Sequence, residues 1–198
     1  MAAAVSWPTS TLVVSEFQTG GASASDEFVE VANQGMDPVD LAGLEIVYAT
    51  STGSTVTRKA VWTSSLVLEP GRRFLIANTV GAYAAAADGT YSGGFAATGG
   101  ALALRIVGGA VVDAVGWGDA TNGFVEGSVA PAPAAGSSLE RRPGALAGNA
   151  TDTNDNAADW FVQGSPSPAG MSAPPIPAPV PEPTESPEPT EAPSPTPT

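Results

Sequence analysis

The sequence contains no cysteine and no histidine. Without thiols there is no disulfide and no cysteine-based zinc site. Without imidazole a Ser-His-Asp triad and a histidine general base are excluded. Basic residues are scarce as well: seven Lys and Arg face twenty Asp and Glu, for a formal net charge of −13. Such a chain repels phosphate backbones, so nucleic-acid binding by charge is disfavoured. Lysine occurs once, as Lys59, with no Gly-rich phosphate loop beside it. Apolar runs long enough to span a bilayer are missing. Long helical periodicity is missing too. What remains is a 198-residue chain that is 42% hydrophobic and only 14% charged. That length suits one domain of ordinary size plus an extension.

Between residues 11 and 164 short apolar runs are cut by Gly, Pro, Asn and Asp, the pattern of an all-β sandwich. The runs are Leu12–Phe17, Phe28–Val31, Leu44–Tyr48, Val56–Trp62, Leu66–Leu68 and Phe74–Ala77. Leu102–Ile106, Val111–Val115, Ser138–Arg141 and Trp160–Val162 complete the set. Gly108-Gly109 is expected to supply positive φ angles in a two-residue hairpin turn. The alanines between Val80 and Ala87 favour one helical turn. Eight to ten strands with no edge-closing signature predict a two-sheet sandwich in preference to a closed barrel.

From Ser165 onward, 13 of 34 residues are proline, and none is aromatic or basic. Proline removes backbone donors, and there is little apolar surface to offset chain entropy. Residues 165–198 are therefore expected to be a disordered Pro/Glu/Thr/Ser-rich linker or stalk. Residues 1–10 are expected to be a flexible lead-in. Met1–Pro8 lacks the basic and apolar regions of a signal peptide.

Seven pieces occur in an order that resembles the bacterial lamin-tail domain family, whose fold is an immunoglobulin-like β-sandwich. Val14-Ser15-Glu16-Phe17 is similar to its opening strand, and Asp26–Asn33 to its D-E-F-[VI]-E-[LV]-x-N strand. Pro38–Leu44 is similar to its P-V-D-L-[SA]-G turn, with Leu44 where Trp is usual. Leu68-Glu69-Pro70-Gly71 matches its L-x-P-G turn, and Val111–Gly118 its V-V-D-x-V-G-[WY]-G strand. Ser138–Arg141 follows Glu126-Gly127 and Pro131–Pro133 as in the family. Asp152–Trp160 resembles the closing D-T-D-x-N-A-A-D-F motif, with Trp160 for Phe. The resemblance implies an extracellular or surface-attached accessory domain, often accompanying secreted nucleases and phosphatases, and in lamins a protein-binding one. Fold analogy alone transfers none of these roles.

Asp152, Asn154, Asp155, Asn156 and Asp159 place five hard oxygen donors within eight residues. Calcium takes six to eight such oxygens. The alternative is a set of Asx-turns in which Asp and Asn cap their own backbone. Glu16 and Glu30 stand inside apolar strands. If Phe28 faces the core, Glu30 does too and needs a partner, for which Arg141 is the best candidate. Either glutamate is otherwise available to complete the cation site. Trp62, which follows Arg58-Lys59, is the expected exposed aromatic for stacking a sugar or partner. Trp117 and Trp160 are expected inside. Asn149-Ala150-Thr151 matches a glycosylation sequon by pattern.

Together these readings predict a non-catalytic extracellular or cell-surface accessory or adhesion module, binding a protein or envelope polymer, with calcium as its possible cofactor. One alternative is a targeting domain for an attached secreted nuclease or phosphatase. Another is a structural, filament-associated role, against which the absence of a heptad rod counts. The missing histidine and nucleophile constellation argue against an enzyme.

Overall fold

The computed structural model describes residues 10–176; residues 1–9 and 177–198, which include most of the expected tail, lie outside them. Twelve strands follow one another: β1 (Leu12–Thr19), β2 (Glu27–Asn33), β3 (Val39–Asp40), β4 (Leu44–Thr50), β5 (Val56–Val61), β6 (Val67–Leu68), β7 (Arg73–Asn78), β8 (Gly89–Tyr91), β9 (Gly99–Ile106), β10 (Val111–Gly118), β11 (Ser138–Arg141) and β12 (Trp160–Gln163). A four-residue helix, α1 (Asn156–Asp159), precedes β12. Six strands form one sheet in the order β12-β11-β1-β2-β7-β8, and four form a second in the order β10-β9-β4-β5. The short β3 and β6 pair with each other. Every apolar run read from the sequence becomes a strand. The two additions, β3 and β8, are too short to show an alternating pattern.

The core lies between the two sheets. Val14, Phe17, Val29, Val31 and Ile76 of the larger sheet meet Ile46, Leu102, Leu104, Val115 and Trp117 of the smaller one. Trp117 and Trp160 are buried, and Phe17 contacts both rings at centroid distances of 4.7 and 5.5 Å. Offset aromatic contacts of this kind add to the burial of three large side chains. Because Val29 and Val31 face this core, Phe28 and Glu30 face outward, the reverse of the parity assumed above. Phe28 instead packs with Leu75, Ala77, Tyr83 and Ala87 in a separate outer cluster. The alanine-rich segment supplies those contacts as successive turns, not as a helix. In the β9–β10 hairpin only Gly108 takes a positive φ, of 64°.

Ordered structure does not stop at residue 164. Residues 165–176 run back over the outer face of the six-stranded sheet and end at Ile176, which is buried. The amide of Ile176 donates to Gly71 O at 2.9 Å. Gly71, the last residue of the L-x-P-G turn, has φ +72°, and a Cβ there would meet Ile176 O at 2.2 Å. Both facts demand glycine. The expected disordered segment thus contributes its first twelve residues to the fold, because their backbone groups find partners on the sheet.

Candidate functional site

Arg141 ends β11 with its side chain pointing between the sheets, fully buried. Strand β1 carries a bulge between Val14 and Glu16, and it pairs with β11 only from Glu16 onward. The polar backbone of Val14 is therefore left for side chains. Arg141 Nε donates to Val14 O at 3.0 Å, and Val14 N donates to Asp113 Oδ2 at 2.6 Å. Arg141 Nη2 closes the loop on Asp113 Oδ1 at 2.6 Å. Nη1 donates to Thr151 O at 3.0 Å and lies 3.7 Å from Asp152 and 3.9 Å from Asp159. The Trp160 ring stacks over the guanidinium at 4.9 Å. Asp113, Glu126 and Asp152 bring one carboxylate oxygen each to within 4.8 Å of one another.

Four carboxylates thus surround one guanidinium. Burial pushes Asp113 up to about 6, with Arg141 pulling it back toward the ionised form. Burial and the adjacent Asp113 push Glu126 up to about 8. An ionised Asp113 therefore disfavours a second negative charge on the adjacent Glu126.

The acidic loop divides between two uses. Asp155 caps α1 by accepting from the amides of Ala157 at 3.1 Å and Ser128 at 3.2 Å. Asp159 accepts from Thr153 N at 2.8 Å and Thr153 Oγ1 at 2.6 Å. Asn156 clamps the loop to β10: its Oδ1 accepts from Gly116 and Glu126 amides, and its Nδ2 donates to Ala114 O and Glu126. Asp155 and Asp159 thus cap backbone within the loop, as the Asx-turn reading expects, whereas Asn156 makes long-range contacts instead. Asp152 alone joins Asp113 and Glu126. Its Oδ1 is buried without a hydrogen bond, as is Oδ1 of Asn154. Asp113 and Glu126 escaped the sequence reading because they stand some 26 to 46 residues away from the loop, and only the fold joins them.

The expected Glu30–Arg141 ion pair does not form. Arg141 pairs with Asp113, whereas Glu30 lies on the opposite face of the sheet and accepts from Ser15 Oγ at 2.6 Å and Ala169 N at 2.7 Å. The wrong facing of Phe28 produced the wrong partner. Asn149 is buried, with its Nδ2 donating to Glu140 and Arg141 O, so the sequon is closed to a glycosyltransferase in the folded domain.

Trp62 is only 7% exposed and packs edge-on against Phe74 at 5.4 Å, so it is no free platform. It does line a groove of about 460 Å³, together with Arg58, Lys59, Val61, Phe74 and Thr90. The groove is lined by residues of the edge strand β5 and the edge strand β8. Arg58 is half exposed there and ion-paired with Glu45. Lys59 turns inward, within 5.0 to 5.5 Å of the rings of Tyr91, Phe95 and Tyr48. A second cavity, about 710 Å³, opens beside Glu27, Asn78 and Phe95. Glu27 is tied internally there, accepting from Phe95 N at 2.6 Å and from Asn78 at 3.1 Å.

A model of the Lamin Tail Domain family matches residues 6–119. The crystal structure of a DUF4876 family protein from Bacteroides thetaiotaomicron superposes with a TM-score of 0.59 at 14% identity, covering 85% of this chain and 75% of that one. At that identity the likeness concerns the fold alone. No curated protein matches the chain.

Proposed function

The chain belongs to the lamin tail domain family, and on that premise we propose that it is a non-catalytic accessory module, working outside the cell or at its surface. Its task is to bind an extended segment of a protein or envelope polymer along the β5–β8 edge. The observation that carries this reading is the groove itself. An edge strand leaves backbone donors and acceptors unpaired, and extended ligands add to such edges by main-chain hydrogen bonds. Here the edge is flanked by the guanidinium of Arg58, the exposed Val56 and Val61, and the rims of Trp62 and Phe74. The buried carboxylates support a non-catalytic role: Asp113 and Glu126 are each 1% exposed and directed at protein groups.

The test is binding of solubilised envelope polysaccharide and of a panel of extended peptides to the immobilised full chain. Arg58→Ala combined with Val61→Asp alters only groove-lining side chains that reach solvent. A loss of roughly tenfold or more in affinity is expected for the ligand that uses the groove. Unchanged affinity in the double variant would place the binding surface elsewhere.

A further inference from the structure

We propose that residues 165–173 form a proton-linked strap, closed over Glu16 and Glu30 on the outer face of the six-stranded sheet while these two are protonated and loosened when they ionise. The two belong to a row set by strand register. Glu16 on β1 is directly opposite Glu140 on β11 and Glu30 on β2, and opposite residues of an antiparallel pair share a face. All three are buried. Among the described residues none of the three has an ion-pair partner within 4.0 Å.

The strap meets this row with neutral donors. Ser167 N donates to Glu16 at 3.2 Å, Ala169 N to Glu30 at 2.7 Å, and Met171 N to Asp88 at 2.9 Å. In an extended chain alternate residues face the same way. Pro166 precedes the first donor and Pro168 stands between the first two, on the alternate parity where no donor is needed. Beyond the row, Arg72 Nη1 donates to Met171 O and Ala173 O, and Ile176 is seated on Gly71. From within the sheet Ser138 Oγ donates to Glu16 and Ser15 Oγ to Glu30. Glu140 accepts from Ala145 N, Asn149 and Gln163. The other titratable groups facing the row are Arg73, which acts on Glu30, and Tyr83, whose hydroxyl reaches Gln18 beside Glu16.

Burial is the dominant influence on both central glutamates and pushes each up to about 7. The serine hydroxyls and strap amides pull the other way without cancelling it. Opening the strap returns water to the row and lets both glutamates move back toward the ordinary 4.5. The closed state therefore binds more protons between 4.5 and about 7. Closure is favoured at the acidic end of that window and weakens as pH rises through its upper end. The device needs no groove ligand and stands apart from the binding role.

Amide hydrogen exchange by NMR on the full chain tests it. Protection of Ser167, Ala169 and Met171 is followed from about pH 5.5 to about pH 8.5, normalised to the intrinsic exchange rate. The expected result is a fall of roughly tenfold or more across that range while Val29 in β2 stays better protected than all three throughout. In a Glu16→Gln/Glu30→Gln variant the same amides should show little dependence on pH. Protection in the native chain that is flat with pH overturns the proposal. So does an undiminished pH dependence in the double variant.

Discussion

Glu140 and Arg141 are neighbours in sequence, and they belong to two differently managed groups of buried carboxylates. Arg141 points inward, into a centre where a guanidinium faces Asp113, Asp152 and Asp159. Glu140 points outward, into a row with Glu16 and Glu30 that has only hydroxyl, amide and backbone donors. One strand thus separates a centre built around a guanidinium from a row in which Glu16 and Glu30 are raised by burial without a cation partner among the described residues. The guanidinium pairs with Asp113 once that carboxylate is ionised, above about 6, whereas Glu16 and Glu30 lose their protons as pH rises through about 7.

The change that breaks this comparison most severely is removal of the fixed charge. Arg141→Met leaves Asp113 buried and unpaired and frees the backbone of Val14. It should cost about 3–5 kcal/mol in urea unfolding. Replacing Asp113 as well, in an Arg141→Met/Asp113→Leu variant, should recover a large part of that loss.

The proton-held row gives the next largest effect, with the opposite chemistry. A shift from 4.5 to about 7 in two glutamates stabilises the fold when they are protonated. At about 1.4 kcal/mol per pH unit this is on the order of 3 kcal/mol each. The contribution is present at the acidic end and is lost as pH climbs from about 4.5 through about 7. Glu126 adds to the same trend, its own loss completing near pH 8. Stability should therefore decline from about pH 5 to about pH 8, a direction that ordinary exposed carboxylates do not produce.

Two smaller effects sharpen the contrast. Gly71→Ala forces a Cβ onto Ile176 O at a positive φ. It should cost about 1–2 kcal/mol, and protease nicking should concentrate at residues 165–176 while the sheets stay intact. Calcium should shift the melting temperature least, by less than about 2 °C at millimolar concentration. Arg141 already supplies a cation to the centre, and Asp155, Asn156 and Asp159 are engaged by protein donors. A calcium-selective shift that disappears in Asp152→Ala would show instead that the ion displaces the guanidinium from Asp152.

The strands were legible in the sequence because alternation and turn residues report local geometry directly. Leu102, Leu104 and Ile106, for example, alternate as written, and the first two face the core. Facing was harder to read where both sides of a strand are buried. In β2 every residue is covered, so Phe28 and Val29 compete for the core and the larger side chain misleads. That error carried Glu30 to the wrong partner. The acidic loop was visible as a cluster, but its chemistry depends on Asp113 and Glu126, which sequence distance conceals. The strap was hidden for another reason. Its composition is that of an unfolded spacer, and what orders it is a set of carboxylates and one glycine located far away along the chain. Composition reports whether a segment can build its own core, not whether another surface will hold it.

The most direct measurement is the urea-unfolding free energy of the native chain and of Glu16→Gln/Glu30→Gln at about pH 5.5 and about pH 8. The expected result is a native chain that is more stable at the lower pH by a few kcal/mol, and a variant in which most of that difference is gone. A native chain equally stable at both values, or more stable at the higher one, would contradict a proton-held row.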